Sequence, residues 1–91
     1  MDREVGHWRA ALLAHEIAGR TLTAEQIAAS IRWIDSLLRM RQDSLSRDDT
    51  YTVKYLDRGI QERCEDVDER SLNEAREHLE RYDAAQSTDH G

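Results

Sequence analysis

The sequence predicts an all-α fold: a helical hairpin followed by a long acidic helix broken near residue 70, which makes a three- to four-helix bundle. Three observations carry this. The 91 residues include no proline and only four glycines, which favours long helices over sheet-and-turn architecture. The apolar residues recur at spacings of three, four and seven, the period of one helix face. A complete helix start stands at Leu22–Ile27, with Thr23 as N-cap and Gln26 as its capping-box partner. Leu22 and Ile27 occupy the two staple positions.

The first helix is expected over 2–18. Asp2 and Glu4 favour its start through the helix dipole, and Gly19 suits a left-handed cap after its end. Val5, Trp8, Leu12 and His15 share one face, Leu13 and Ile17 point elsewhere with Ala10 and Ala14, and Arg9, Glu16 and Arg20 form a narrow polar stripe. The short link Gly19–Leu22 folds the chain back into a hairpin. The second helix, 23–45, is the one the rest is expected to pack around. Ile27, Ile31, Ile34, Leu38 and Leu45 line one face, and Trp33, Leu37 and Met40 form a second row beside it. Together they widen the apolar arc to roughly half the circumference.

Ser46, Asp48, Asp49 and Thr50 are candidate caps for the third helix. TYTVKYL at 50–56 alternates like a strand, but Val53, Leu56, Ile60, Cys64 and Val67 continue at helical spacing, so it reads as helix. At Val67 the register slips. Ser71 with Glu74 forms a second capping-box pattern, and Leu72, Ala75, Leu79 and Tyr82 mark a last helix at 72–85, carrying i,i+4 pairs such as Glu77–Arg81. The chain thus reads as one domain, 1–85, and a disordered tail, 86–91.

Leu, Ile, Val and Phe total only 17 residues, while 35% of the chain is charged. A core with so few large side chains leaves little margin against chain entropy, so a homodimer or a protein partner is expected. The net charge of −6 falls entirely on residues 46–91; residues 1–45 are neutral. An acidic half is repelled by a phosphate backbone and attracted to a basic protein surface, so the expected partner is another protein and not nucleic acid. The N-terminal MDREVGHWR has no apolar signal core, no stretch has the apolar length of a membrane span, and Cys64 is the only cysteine. A cytoplasmic protein without disulfides or membrane contact is expected.

No catalytic constellation is legible. His7, His15, Cys64, His78 and His90 form no metal-ligand pair beyond Glu74 and His78 at i,i+4, and no glycine-rich phosphate loop occurs. No cofactor and no metal are expected. Cys64 falls on an apolar face and reads as an inert core thiol. Ile34-Asp35 with Leu37, Leu38 and Arg41 resembles the first helix of the all-helical chorismate mutases. That stretch sits second here, the next helix is acidic, and Lys54 is the only lysine, so the enzyme's basic pocket does not carry over. LTAEQIAAS at 22–30 resembles the first helix of a helix-turn-helix, but Ile31–Trp33 continue as helix where that motif turns.

What remains is a non-catalytic protein-binding module, with Trp33, Leu37 and Met40 as apolar candidates and Glu62, Glu65, Asp66 and Glu69 as acidic ones. Small acidic domains of this kind resemble inhibitors that phages and mobile elements direct at host defence or nucleic-acid-binding machinery, anti-CRISPR-like proteins among them. The alternatives are a structural or assembly subunit acting through homo-oligomerisation, and a small helical enzyme with its site at a dimer interface.

Overall fold

The computed structural model describes residues 3–88. Four helices follow in order, α1 (Arg3–Ile17), α2 (Ala24–Ser46), α3 (Thr50–Cys64) and α4 (Glu69–Thr88), and no strand occurs among the described residues. No helix there is long and apolar enough to cross a membrane. Asp2, the side chains of Glu4 and Val5, and His90 lie outside what is described.

The helix boundaries follow local chemistry. Thr23 caps α2 as the sequence predicts: the Gln26 backbone N–H donates to Thr23 Oγ1 at 3.2 Å, and the Thr23 N–H donates to Gln26 Oε1 at 2.9 Å. Gly19 takes φ +68° after α1, a conformation that costs a residue with a Cβ. Asp48 also adopts a left-handed φ of 58° as α2 ends, within the tolerance of Asp for that region. Among the predicted α3 caps it is Asp49 that serves, accepting from the Thr52 N–H at 3.2 Å and the Thr52 hydroxyl at 2.6 Å. These bonds to the charged carboxylate hold it below its ordinary range. The segment 50–56 is helical throughout.

The break near residue 70 is a full separation, and it comes earlier than the sequence suggests. α3 ends at Cys64 and α4 opens at Glu69. Asp68, not Ser71, stands in the cap position: its carboxylate accepts from the Ser71 hydroxyl and N–H and is held low by them, and its carbonyl accepts the first helical bond, from the Leu72 N–H at 3.0 Å. An acidic side chain one turn upstream competes for the same orphan donors and adds favourable charge at the dipole's positive end. Gln86–Thr88, assigned above to the tail, form the end of α4. The expected Glu77–Arg81 ion pair is not formed; on α4 the pair is Arg70–Glu74 at 3.8 Å.

The principal extents are 36 × 36 × 21 Å. A helix with its side chains is about 10 Å across, so the molecule is a slab two helices thick. Its centre is α1, not α2. α1 packs broadly against all three other helices, whereas α2, which also reaches all three, touches α4 only slightly, and α3 and α4 do not pack on each other. The reason lies in the run Ala10–Ala14, five successive residues that are all buried. At about 100° per residue such a run closes the helix circumference, and a helix apolar all round must be covered all round. Leu13, Ala10, Ala14 and Ile17, set apart above from the main apolar face, are therefore core. His15, placed on that face, is exposed. Ile31, Ile34 and Leu38 of α2, Ile60 of α3, and Ala75 and Leu79 of α4 complete the core, while Leu45 at the end of α2 is exposed.

Two arginines of the hairpin tie the outer helices to it. Arg9 of α1 holds Asp35 of α2 at 2.7 Å and Asp83 of α4 at 2.8 Å. Arg41 of α2 holds Asp57 of α3 at 2.5 Å, and its guanidinium lies 4.6 Å from the centre of the Trp8 ring of α1.

Candidate protein-binding surface

α2 has a wider apolar arc than its neighbours cover. Ile31, Ile34 and Leu38 turn into the core, but Trp33 remains 45% exposed and Met40 56% exposed. α3 runs alongside α2, and between them lies an open groove of about 540 Å³. Trp33 and Leu37 line it from α2; Tyr55, Leu56, Gly59 and Arg63 line it from α3. The groove stays open at Gly59, which presents no side chain. Arg63 reaches back across that gap: its guanidinium sits 5.7 Å from the Trp33 ring centre, and Nη1 donates to the Gly59 carbonyl oxygen at 3.4 Å. The cation against the indole face, with its stem along the groove, orders the wall without filling the space.

Gly59→Ala is expected to raise unfolding free energy by about 0.5–1 kcal/mol, because it removes the entropic penalty of a glycine inside a helix. The new Cβ would lie 3.4 Å from Arg63 Nη1, an ordinary contact with the far end of a flexible side chain. Urea unfolding checks this; a loss of stability would mean that Arg63 cannot give way.

Of the residues singled out from the sequence, Trp33, Leu37 and Glu62 come together in this groove. Met40 lies beside it in a shallow hollow with Ser36, Arg39 and Asp43. Glu65 and Asp66 sit in the α3–α4 link and Glu69 opens α4; all three are exposed and outside the groove. Glu62 faces Arg58 one turn back on α3, at 3.6 Å. The sequence reading missed Tyr51 and Tyr55, which are 82% and 73% exposed. Their i,i+4 spacing was the available signal: it sets both on one face of α3, with Arg58 and Glu62 continuing the row.

The rest of the surface offers less chemistry. A second apolar hollow, about 420 Å³, lies between the start of α2 and α4, walled by Leu22, Ile27 and Tyr82 with His78 and Arg81 beside them. Cys64 is half-buried against the core, and burial pushes its thiol up, away from the reactive thiolate. The carboxyls that are held low, Asp49, Asp68 and Asp83, are all engaged in helix caps or ion pairs. Among the described residues no group of His, Cys, Asp and Glu is placed to hold a metal ion. No family model, curated protein or solved structure matches the chain.

Proposed function

We propose that this chain is a small, non-catalytic protein-binding module whose contact surface is the α2–α3 groove around Trp33. The carrying observation is the concentration of Trp33, Met40, Tyr51 and Tyr55, all exposed, on one pair of helices above a closed core. Contiguous exposed apolar surface on a soluble domain marks an interaction site, and Trp, Tyr, Met and Arg are the residue types enriched there. A groove between two helices is suited to receive a third element. The carboxyls that are held low support the non-catalytic part, since Asp49, Asp68 and Asp83 each have a partner in a cap or an ion pair rather than an open face in a cleft.

The inhibitor form of this reading draws on a different feature. Glu65, Asp66 and Glu69 crowd the α3–α4 link and none is ion-paired among the described residues. Such a cluster would engage a basic nucleic-acid groove on a host protein.

Affinity capture from host lysate, with the protein as bait, tests both. Wild type should retain a stoichiometric partner, and Trp33→Ala, which removes an exposed side chain and leaves the fold intact, should lose most of it. If Trp33→Ala retains the partner unchanged, the groove is not the contact surface. If exchanging Glu65, Asp66 and Glu69 for Gln alters neither retention nor its salt dependence, the inhibitor form fails. Light scattering over a dilution series addresses the assembly alternative: a dimer abolished by Trp33→Ala would make the groove a self-contact.

A further inference from the structure

The hollow between the start of α2 and α4 is separate from the α2–α3 groove. α2 and α4 touch only slightly, while α1 packs broadly against both, so the two helices stand apart over this stretch and leave about 420 Å³ between them. α2 supplies an aliphatic wall, with Ile27 and Ile31 one turn apart and Ala24 and Ala28 withholding side-chain volume beside them. From Ala24 to Ile31 the wall runs roughly 10 Å along the helix. α4 supplies the polar wall, His78, Arg81 and Tyr82. No carboxylate lines this hollow. Acids do share the walls of the others: Glu62 in the α2–α3 groove, Asp43 beside Met40, Asp48 and Asp49 at the α2–α3 turn, and Glu80 and Asp83 between α1 and α4. Arg81 is also uncommitted. It makes no ion pair among the described residues, and the pair with Glu77 that its spacing invites is not formed. Glu77 and Glu25 are exposed and stand outside the walls.

We infer that this hollow binds a medium-chain fatty acid, its tail laid along Ile27 and Ile31 and its carboxylate held by the Arg81 guanidinium and a ring N–H of His78. A guanidinium matches a carboxylate in a two-pronged pair, and an imidazole donates an N–H even when neutral. Ala24 belongs to the first turn of α2, where the positive end of the helix dipole adds to the attraction for an anion. The volume falls within the range of small-molecule sites, which are mostly apolar, carry a few convergent polar groups and occur between the helices of bundles. The wall chemistry decides between occupants. An alkylammonium of the same length meets an unopposed arginine, and a neutral alcohol leaves that arginine without its partner. Trp33 and Leu37 line the other groove and take no part.

The test titrates the full chain, isotope-labelled, with decanoate kept below its micelle-forming concentration, and with decanol and decylammonium as matched tails. The readouts are the methyl signals of Ile27 and Ile31 and the Nε–H signal of Arg81, with the indole N–H of Trp33, in the other groove, as internal control. Decanoate should move the first three and leave Trp33 in place. It should bind at least about tenfold more tightly than decanol, and decylammonium should not bind there. Arg81→Gln, at an exposed position, should weaken decanoate by about tenfold and bring it level with decanol, while Arg81→Lys keeps part of the preference. Ala28→Leu fills the hollow from the α2 side and should abolish binding, with an unchanged methyl signal from the fully buried Ile60 showing that the fold is intact. Decanol binding as tightly as decanoate, or decanoate binding unchanged in Arg81→Gln or Ala28→Leu, overturns the inference. So does binding by none of the three, or anionic phospholipid vesicles that move these signals where free decanoate does not. None of these failures touches the α2–α3 groove, whose role is judged by partner capture with Trp33→Ala.

Discussion

Ile34→Ala is expected to lower the free energy of unfolding by about 3 kcal/mol, within the range for truncating a fully buried aliphatic side chain. Ile34 is fully buried where α2 meets the core, one of five large side chains with almost no exposure, alongside Leu12, Leu13, Ile31 and Ile60. The loss combines the transfer energy of the removed methyl groups with the cavity they leave, which a core bounded by three rigid helices closes poorly. A domain of this size has only about 5–14 kcal/mol of total stability, so a single truncation removes a large share of it. The midpoint of thermal unfolding should fall by roughly 12–24 °C, at about 4–8 °C per kcal/mol for a domain this small. Leu45→Ala is the control: Leu45 shares the predicted apolar row with Ile34 but is 43% exposed, and its truncation should cost under about 1.5 kcal/mol. Chemical denaturation of the two variants side by side is the measurement. Equal losses would place Leu45 in the core and contradict the packing described above.

Arg9→Met is expected to cost about 1–2 kcal/mol at neutral pH, and the cost should shrink in acid. The guanidinium makes two forked contacts: Nε and Nη2 donate to Asp35 at 2.7 and 3.1 Å, and Nη1 and Nη2 donate to Asp83 at 2.8 and 3.0 Å. Planar pairing of this kind is the strong form of the ion pair. Asp83 is about half exposed and Asp35 a third exposed, so solvent screens both and the cost stays well below that of breaking a buried pair. Methionine keeps the apolar stem, which isolates the charge contribution. The hydrogen bonds from Arg9 hold the Asp83 carboxyl below its ordinary range, and the paired arginine is itself pushed further toward its charged form. A carboxyl whose folded value is depressed contributes stability that is complete above its unfolded value of about 3.9 and is lost as pH falls through the folded value. The difference between wild type and Arg9→Met should therefore be constant from neutral pH down to about 5 and diminish below about 4. The caps at Asp49 and Asp68 titrate in the same direction but are common to both proteins and cancel in the difference. Urea titrations at neutral pH and near pH 3 decide the matter; a gap that persists undiminished in acid would mean that the Arg9 stem, and not its charge, holds α4 in place.

How much of this was legible in advance divides by the range of the interactions involved. Thr23 and Gln26 are three residues apart, Gly19 terminates a helix through its own φ, and the slipped register after Val67 announces the gap between α3 and α4. Each of these rests on contacts within one or two turns, so the all-α class, the hairpin and the division of the acidic half follow from residue order alone. Even there the start of α4 depends on which of two nearby side chains wins the same backbone donors, and Asp68 takes the place that Ser71 and Glu74 suggested.

The tertiary structure decided which apolar face is covered and which is left open. Both α1 and α2 carry more apolar surface than a single neighbour hides, and no periodicity tells which helix lies inside. α1 takes the centre because Ala10, Ala11 and Ala14, small and all buried, let neighbouring helices approach from every side while Leu12 and Leu13 fill the space between. α2 then keeps Trp33 and Met40 at the surface, and the position of α3 sets Tyr55 and Arg63 beside them. Arg9 and Asp83 stand 74 residues apart in the chain, and Trp33 meets Arg63 from another helix. Such meetings depend on crossing angles and side-chain volumes summed over the whole core, quantities that a local pattern of residues does not contain. The sequence by itself determined that the chain is a series of helices and which residue types each carries; only packing determined that the leftover aromatic surface of α2 and the Tyr55 and Arg63 side chains of α3 would share one groove.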